Sequence, residues 1–509
     1  DVVGFSLQYE MLYTNVLAML ELAGIPVLSD QRTDEAPIVI AGGPGACAPE
    51  PMADFVDLFF PGDGEEVIVE FAELVRAAQD SGQNREETIL RAARELDGAY
   101  APAYYEPAYN EDGTLKALRP TRDGLPKRVT ARKVPDLELA HFPTDLIVPF
   151  VETVHDRVSL EIMRGCTRGC RFCQAGMLRR PVRPRSVEQL RELTEEAVES
   201  TGYDEVALAS LSSSDYPEFR ELLERIGDFT EPRQVNLSLS SLRVSDQLTV
   251  VPEVLQRVRK SGLTVAPEAG TERLRNVINK DVTEEELIDG AREAFRQGWR
   301  HIKLYFMVGL PTETDEDLDA IVDLSEKVSR VRGEVAGGAG RVNVSIAPFV
   351  PKPHTPFQWE PMASREYIER ARDRILDKAR LKSVRYDFHD PERSVLEAAL
   401  ARGDRRLGRV LLRVRREGAR FDAWDEHFSF ETWQRAFEEE GLSLDFYAHR
   451  ARDPEETLPW DHIDFGLRRD FLLQEREKAF RGELTPDCRT GRCTECGVCS
   501  ALPEDPRRV

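Results

Sequence analysis

The sequence predicts an α/β protein, and three observations support this prediction. Short apolar runs alternate with amphipathic helical patterns over the first 80 residues. The alternation returns, more regularly, from residue 158 to about residue 360, as parallel β/α units require. Seven of the eight cysteines fall in two tight clusters, one at the start of the second α/β region and one near the end of the chain.

Residues 1–80 predict half of a doubly wound, Rossmann-like domain. Its helices are expected at residues 65–78 and at Tyr13–Leu22, the latter with Thr14 as its cap. Its buried strands are expected in three apolar runs, residues 1–7, 37–43 and 56–61. The chain begins within the first of these strands and without Met, so we expect this domain to be truncated at its N-terminus.

Residues 81–150 are polar and Pro-rich and predict a linker with small packing elements, including a hairpin that turns at Asp112-Gly113. Residues 151–362 hold six predicted strands, at 159–163, 204–210, 234–240, 262–267, 300–308 and 341–348. Helices are expected between them, at 187–200, 216–227, 248–260, 283–297 and 315–331. Six such units form a partial (β/α)6 barrel with its chemistry at the carboxyl ends of the strands. A mostly helical extension (363–480) and a Cys-rich tail (481–509) follow.

The first cysteine cluster lies just after the first barrel strand. Cys166, Cys170 and Cys173 follow the spacing C-x3-C-x2-C, with the aromatic Phe172 before the last of them. Three thiolates on one short loop can hold three irons of a [4Fe–4S] cube and leave the fourth iron open. A zinc site is the alternative, but it would need a fourth ligand that the loop lacks.

This loop, after a strand and with that aromatic, resembles the signature of the radical S-adenosylmethionine (radical SAM) enzymes. The resemblance implies that the open iron chelates SAM and that one electron cleaves SAM to methionine and a 5′-deoxyadenosyl radical. It also implies SAM contacts at the strand ends, and the blocks 306–311 and 348–358 resemble those of methylthiotransferases. The residues expected to bind this cofactor are Phe172, Ser210, Ser212, Ser240, Arg243 and Glu268.

The layout of the first 80 residues resembles the cobalamin-binding-type domain that precedes many radical SAM cores. Base-off cobalamin domains carry a D-x-H-x-x-G motif whose His ligates cobalt, and no such motif occurs in this sequence. A retained fold without cobalamin is therefore the favoured interpretation, and cobalamin stays open as an alternative.

The tail spaces Cys488, Cys493, Cys496 and Cys499 as C-x4-C-x2-C-x2-C. Four thiolates on one compact loop can close around an auxiliary [4Fe–4S] cluster or around zinc. The cluster is favoured because zinc usually takes its cysteines as two separated pairs.

The net charge of −23 argues against nucleic-acid binding by bulk charge. Two local arginine runs leave alternatives open. Residues 164–185 form a rim for an anionic substrate such as RNA, a charge that stabilises the cluster, or ion pairs with acids elsewhere on the barrel. Residues 402–420 predict an amphipathic helix whose cationic face is solvated by default, with nucleic-acid contact as the alternative. We find no membrane span in the sequence, and clustered free cysteines indicate a reducing compartment, so we expect a cytoplasmic protein.

Over essentially its whole length the chain resembles an uncharacterised bacterial family that joins a cobalamin-binding-type domain, a radical SAM core and a C-terminal cysteine tail. The predicted function is radical SAM catalysis on an unknown substrate, methylthiotransferase-like or methyltransferase-like, with RNA or a ribosome-associated macromolecule as a candidate. The resemblance implies an electron donor such as flavodoxin or ferredoxin. The alternative is a non-catalytic module that binds SAM and zinc and contacts RNA or protein.

Overall fold

A computed structural model describes residues 2–151, 153–239 and 263–501. The predicted SAM contacts Ser240 and Arg243, and the predicted helix 248–260, lie outside the described residues.

The first domain has a parallel sheet in the order β1-β2-β3, formed by Val2–Ser6, Ile38–Gly42 and Leu58–Phe59. Two of its helices were predicted, α1 (Tyr13–Leu22) and α2 (Val67–Asp80). The Thr14 cap is wrong, because the Thr14 hydroxyl is buried and donates to Asp422 instead.

The segment after the first domain contains more regular structure than the sequence pattern indicated. Helix α3 (Arg85–Glu95) begins with a capping box between Asn84 and Glu87. The predicted hairpin is present as β4 (Tyr105–Tyr109) and β5 (Leu115–Pro120). A short strand, β6 (Val129–Thr130), pairs in parallel with β16 (Ile463–Asp464) near the end of the chain.

The second α/β region forms two parallel sheets. The first has the order β11-β10-β7, with β7 at Val158–Glu161, β10 at Glu205–Ala209 and β11 at Asn236–Leu239. The second has the order β12-β13-β14-β15, formed by Leu263–Glu268, His301–Val308, Arg341–Pro348 and Val384–Phe388. Among the described residues no strand pairing closes a barrel. Strand β15 adds a seventh strand that was not predicted.

The described helices of this region are α4 Gln174–Leu178, α5 Val187–Thr201, α6 Phe219–Thr230, α7 Glu272–Val277, α8 Glu284–Arg296 and α9 Asp315–Val335. Four of them, α5, α6, α8 and α9, follow strands as predicted. Ser186 caps α5, and Thr283 and Glu286 form the capping box of α8. The two short helices, α4 and α7, were not predicted; they follow the cysteine loop and β12.

The C-terminal extension is largely helical and packs into the same hydrophobic core as the first domain and the barrel strands. Its buried Trp433 and Trp460 are among the largest fully buried side chains. None of the described helices combines the length and apolar composition that a membrane span needs. The helices are α10 Arg365–Lys378, α11 Pro391–Ala401, α12 Leu407–Arg416, α13 Phe430–Glu439, α14 Leu444–Ala448 and α15 Arg469–Phe480.

Candidate active site

The cysteine loop begins directly after β7 and is closed at its base by two short antiparallel strands, β8 (Met163–Arg164) and β9 (Arg183–Pro184). Gly165 enters the loop with a φ of 98°. A Cβ there would lie 2.4 Å from the carbonyl oxygen of Pro181 and 2.5 Å from that of Arg179. Only glycine therefore fits the point where the loop leaves the strand.

The three cysteines of this loop are free thiols and half-buried. Burial raises the pKa of Cys166 to about 11 and that of Cys173 to about 12, and the nearby Cys170 raises both. The Cys173 sulfur also accepts a hydrogen bond from the Gly176 amide at 3.3 Å. Three crowded thiolates repel one another, and metal ligation offsets that cost because the thiolate is the form that binds.

Arg171, between two of the cysteines, fixes the loop from within and is fully buried. It forms an ion pair with Glu475 of α15 at 3.2 Å. Its guanidinium also donates to the carbonyls of Asn276 and Val277 at 2.9 Å and to that of Glu483 at 2.7 Å. One side chain thus joins the cysteine loop to α7 and to the segment that leads into the tail.

Two further side chains bind the cysteine loop to the tail. The Thr167 hydroxyl, next to Cys166, donates at 2.7 Å to the carboxylate of Asp487, next to Cys488. Asn279 donates to the carbonyls of Arg168 and Thr485, both at 3.1 Å, and accepts from the Thr485 amide at 2.8 Å. The second cysteine cluster is therefore held beside the first.

Charged side chains surround the contact between the cysteine loop and the tail. Arg168 of the loop forms a bidentate pair with Asp215, which follows β10, and approaches Asp487 at 3.5 Å. From the tail, Arg489 donates to the Asp215 carbonyl at 2.8 Å and pairs with Asp487 at 3.0 Å. These guanidiniums offset the burial of both carboxylates, so the pKa of Asp215 and that of Asp487 lie below their usual value.

The predicted SAM contacts that the structure describes lie around the loop. Phe172 packs on a small apolar cluster that contains Ile278 and Phe357. Ser212 donates to Asp215 at 2.5 Å, and the Ser210 and Ser213 hydroxyls are 3.0 Å apart. Glu268 ends β12 with a φ of 68°, and burial raises its pKa although the Lys280 ammonium lies 3.7 Å away.

The tail cysteines are unequally exposed. Cys496 is buried, Cys488 and Cys499 are half-buried and Cys493 is exposed. The Cys496 carbonyl accepts a hydrogen bond from the Arg468 amide at 2.9 Å, which docks the tail on the start of α15. Burial raises the pKa of Cys488, and Arg180 of the first loop is close enough to oppose that rise.

The donor types of both loops suit iron–sulfur clusters. In the residues that the structure describes, no group of three or more His, Cys, Asp or Glu side chains is placed to hold a single metal ion. A [4Fe–4S] cube takes each thiolate on a different iron. In each loop, the fit to a cluster therefore rests on free thiols that lie close together along a glycine-containing segment.

The arginines of residues 164–185 are mostly directed into the fold. Asp63 of the first domain accepts three of them, Arg164 at 3.1 Å, Arg179 at 2.9 Å and Arg183 at 2.6 Å. Arg180 lies over the Phe471 ring, 5.4 Å from its centroid. In the run 402–420, Arg402 is fully buried and Arg405 pairs with the buried Glu50 at 3.1 Å. For the first run, pairing within the fold describes these side chains. In the second run, Arg402 and Arg405 are directed into the fold, whereas Arg409 of α12 is exposed, as a solvated face requires.

The first domain meets the cysteine loop with the carboxyl ends of its own strands. Cys47, after β2, accepts a hydrogen bond at its sulfur from the Gln174 side chain at 3.2 Å. His354 donates to the Cys47 carbonyl at 2.9 Å, and burial lowers the pKa of His354 to about 4. The edge where a doubly wound domain binds a ligand is thus in contact with the cysteine loop and with the loop after β14.

Sequence reasoning missed the residues that join these parts. Asp63, Thr167, Asn279 and Asp487 are ordinary polar residues in the sequence, and each acts on a partner that is distant along the chain. Only the Gly62-Asp63-Gly64 turn gave a local signal, and it indicated a strand end rather than an arginine acceptor.

Family models match two parts of the chain: "Radical SAM proteins, N-terminal" over residues 1–102 and "Radical SAM superfamily" over residues 160–325. An uncharacterised protein of Methanocaldococcus jannaschii is 31% identical over 418 residues, which is 81% of this chain and 80% of that protein. The chain belongs to the radical SAM superfamily. It is therefore an enzyme of the radical SAM class, for which the superfamily implies a [4Fe–4S] cluster and SAM.

The radical SAM chain is also similar to two methylthiotransferases over about a third of its length. It is 30% identical to the tRNA-2-methylthio-N(6)-dimethylallyladenosine synthase of Desulforamulus reducens over 33% of this chain and 38% of that enzyme. It is 24% identical to the ribosomal protein uS12 methylthiotransferase of Thermotoga petrophila over 36% of this chain and 47% of that enzyme. The matches thus span less than half of these relatives.

Among solved structures, the chain is similar to the radical SAM methyltransferase TsrM from Kitasatospora setae, solved with cobalamin and a [4Fe–4S] cluster. The TM-score is 0.46 at 15% identity, with 70% of this chain and 66% of that chain covered. It is also similar to the cobalamin-dependent SAM radical enzyme OxsB, with a TM-score of 0.46 at 12% identity and with 94% of this chain and 70% of that chain covered.

Proposed function

We propose that this enzyme holds a SAM-binding [4Fe–4S] cluster on Cys166, Cys170 and Cys173 and an auxiliary cluster on Cys488, Cys493, Cys496 and Cys499. The chemistry that the first cluster supplies when bound is one-electron cleavage of SAM. The residues of this chain orient the two loops, exclude water and provide polar groups for SAM. Glu268, Ser210 and Ser212, with Ser240 and Arg243, are the proposed SAM contacts.

One observation carries the proposal of two neighbouring centres. Thr167 and Asp487 are each adjacent to a cysteine, and a single buried hydrogen bond joins them. That bond and the backbone on either side limit the separation of the Cys166 and Cys488 Cα atoms to roughly 15 Å. A second centre at this distance suits electron exchange with the first centre or the supply of sulfur to its product.

The proposed reaction is methylthiotransferase-like, because a second cysteine cluster beside the first supplies a place for a sulfur donor. The methyltransferase-like alternative needs a methyl carrier, and the D-x-H-x-x-G motif whose His ligates cobalt in base-off cobalamin domains is absent from this sequence. An electron donor such as flavodoxin or ferredoxin and a cytoplasmic location complete the proposal, since exposed thiols and reduced clusters need a reducing compartment.

The first test is anaerobic reconstitution followed by iron and sulfide analysis. Wild type, a Cys166→Ala/Cys170→Ala/Cys173→Ala variant and a variant with all four tail cysteines changed to Ala are compared. We expect about four irons and four sulfides in each variant and twice that in wild type. Zinc alone in the first variant would remove the auxiliary cluster from the proposal.

The second test measures 5′-deoxyadenosine after reduction in the presence of SAM. We expect product from wild type and none from Cys173→Ala, because that variant lacks one of the three ligands of the SAM-binding cluster. Equal product from both proteins would overturn the catalytic proposal. The alternative, a non-catalytic module that binds SAM and zinc and contacts RNA or protein, would then describe the chain better.

A further inference from the structure

A cavity of about 590 Å³ opens at the carboxyl ends of β13, β14 and β15. We call it the strand-end cavity. Its floor is apolar, from Val308, Ile346 and Phe388. Its walls come from α10, α11, the Tyr9 side chain and the segment that carries Asp425. Volumes of 300–1,000 Å³ are typical of small-molecule sites, and the carboxyl ends of parallel strands are where α/β enzymes bind ligands.

Two guanidiniums line this cavity and are loosely held. Arg372 pairs with its neighbour Asp373 at 3.2 Å, with side chains 45% and 65% exposed. Arg393 pairs with Asp425, whose side chain is 88% exposed, and lies over the Phe428 ring at 5.2 Å. The Arg393 Nε atom is buried without a hydrogen-bond partner among the described residues. Both cations can therefore exchange a solvent-facing partner for a ligand anion.

Of the three carboxylates that line the cavity, two are engaged by other groups, and the third, Asp425, is the exposed partner of Arg393. Glu397 is engaged by Lys352 at 2.9 Å and by the Tyr9 hydroxyl at 2.7 Å. Asp390 caps α11 and accepts the Arg393 amide at 2.8 Å. Asp425 is turned into solvent, where an exposed ion pair contributes little.

We propose that the strand-end cavity binds a small organic oxyanion, with its carboxylate or phosphate group on Arg372 and Arg393 and its apolar part on the strand-end floor. A planar guanidinium suits either oxyanion through paired N–H donors. The volume is that of a small-molecule site.

This cavity is connected to the cysteine loop. Gln174, directly after Cys173, donates to the Pro353 carbonyl at 3.2 Å. The preceding residue, Lys352, pairs with Glu397 of the cavity wall. We assign the bound oxyanion the role of substrate or product of the radical chemistry. That role rests on the proposed function, whereas the binding itself does not.

The binding test uses the full chain without metal and isothermal titration calorimetry with three probes. Hexyl phosphate and hexanoate carry the two oxyanions, and hexanol carries the same chain without charge. We expect saturable one-to-one binding of at least one anion and binding of hexanol weaker by about tenfold or more, since an ionic hydrogen bond contributes that much. No binding of either anion, or equal binding of hexanol, would overturn the proposal.

Variants then locate the bound anion. Arg372→Gln and Arg393→Gln should each weaken its binding by about tenfold. The matched control is Arg385→Gln, which removes an exposed arginine of β15 that does not line the cavity, and it should leave affinity unchanged. Because the Arg372 side chain is almost half exposed, its variant keeps the fold, and unchanged affinity there would refute the site.

A competition experiment distinguishes a small-molecule site from a nucleic-acid surface. Competition with a mixed RNA oligonucleotide should leave hexyl phosphate binding unchanged, and displacement by RNA would assign the cavity to a nucleic-acid surface instead. Because the titration needs neither cluster nor SAM, a failure to form 5′-deoxyadenosine would leave its result intact. Failed binding by an enzyme that still cleaves SAM would refute only this inference.

Discussion

Thr167 and Asp487 show how much of this site depends on single polar atoms. Each is next to a predicted metal ligand, and both are buried. The hydroxyl of Thr167 satisfies one carboxylate oxygen of Asp487, while Arg489 satisfies the other at 3.0 Å. Removal of the hydroxyl would leave the first oxygen with the Arg489 amide, 2.9 Å away, as its nearest donor, and would remove a buried hydrogen bond to a charged group.

We therefore predict that Thr167→Val loosens the tail. The free energy of unfolding should fall by about 1–2 kcal/mol, and Cys488 should be alkylated faster in the metal-free protein. Urea denaturation and mass spectrometry of iodoacetamide-treated protein measure the two effects. Thr33→Val is the control, because Thr33 is exposed. An unchanged alkylation rate would show that this bond does not hold the tail.

Two buried histidines give the protein a predictable response to acid. Burial lowers the pKa of His354 and that of His462 to about 4, with Glu50 opposing the shift at His462. Both ring nitrogens of His462 are buried without hydrogen-bond partners in the described part of the chain. The unfolded chain binds protons at these residues below about pH 6.5, and the folded chain does not.

The free energy of unfolding should therefore be highest above about pH 6.5, where both histidines are neutral in the folded and the unfolded chain. It should fall as the pH drops toward 4, by up to about 3 kcal/mol for each histidine, because only the unfolded chain takes up the protons. Urea denaturation between pH 7 and pH 5 measures this loss. His462→Phe should reduce the slope by about half, since phenylalanine keeps the contact with the Tyr100 ring, 4.7 Å away. His141→Gln, at an exposed position, should leave the slope as it is, and an equal slope in all three proteins would contradict the prediction.

At the scale of elements, the cysteine loop depends on the turn that begins it. Gly165→Ala combines a positive φ with a direct clash against two carbonyl oxygens. Gly202, at the end of α5, has a φ of 71° and nothing within 4 Å of a Cβ. A comparison of Gly165→Ala with Gly202→Ala therefore separates the cost of backbone strain from the effect of displacing the loop.

We predict that Gly165→Ala prevents iron binding at the first loop, whereas Gly202→Ala costs only about 1 kcal/mol of unfolding free energy and keeps its iron. Iron content after reconstitution, in a background that lacks the tail cysteines, is the measurement. Full iron in the Gly165→Ala protein would show that the loop tolerates a shifted entry.

The elements that sequence patterns predicted well are those with a local cause. The capping signals at Ser186 and Thr283 and the strands that enter the core were evident in the sequence and are present. Strand β15 was missed although its residues alternate apolar and polar, because it is only five residues long and lies between two helical patterns. Pairing with β14 decides its conformation, and pairing is not a local property.

The same limit applies to the site. Spacing alone marked both cysteine clusters, since ligand geometry is local. The ion-pair partners of the arginines were not predictable from the sequence, because Asp63, Asp215 and Glu475 come from three other parts of the chain. A run of like charge in a sequence looks the same whether it faces solvent or a buried carboxylate.

At the scale of the whole molecule, Asp63 joins the first domain to the cysteine loop. Its carboxylate is buried and accepts three guanidiniums, and this keeps its pKa below the usual value despite burial. Removal of the carboxylate leaves buried arginine charge without a partner, which is strongly destabilising.

We predict that Asp63→Ala lowers the free energy of unfolding by about 3–5 kcal/mol and exposes the segment between the first domain and the barrel to protease. Limited trypsin digestion and urea denaturation test this. Asp80→Ala, at an exposed helix end, is the control. A protease pattern equal to that of wild type would mean that the domain contact does not depend on this carboxylate.

The docked tail also has a consequence for how the protein is made. More than 300 residues separate Cys166 from Asp487, and at about 5–20 residues per second roughly half a minute of translation passes between them. The first cysteine loop leaves the ribosome long before the segment that fixes it. A chain cut short before Thr485 would therefore carry the first cysteine loop without its contacts to Thr485 and Asp487, and its thiols would be more open to oxidation.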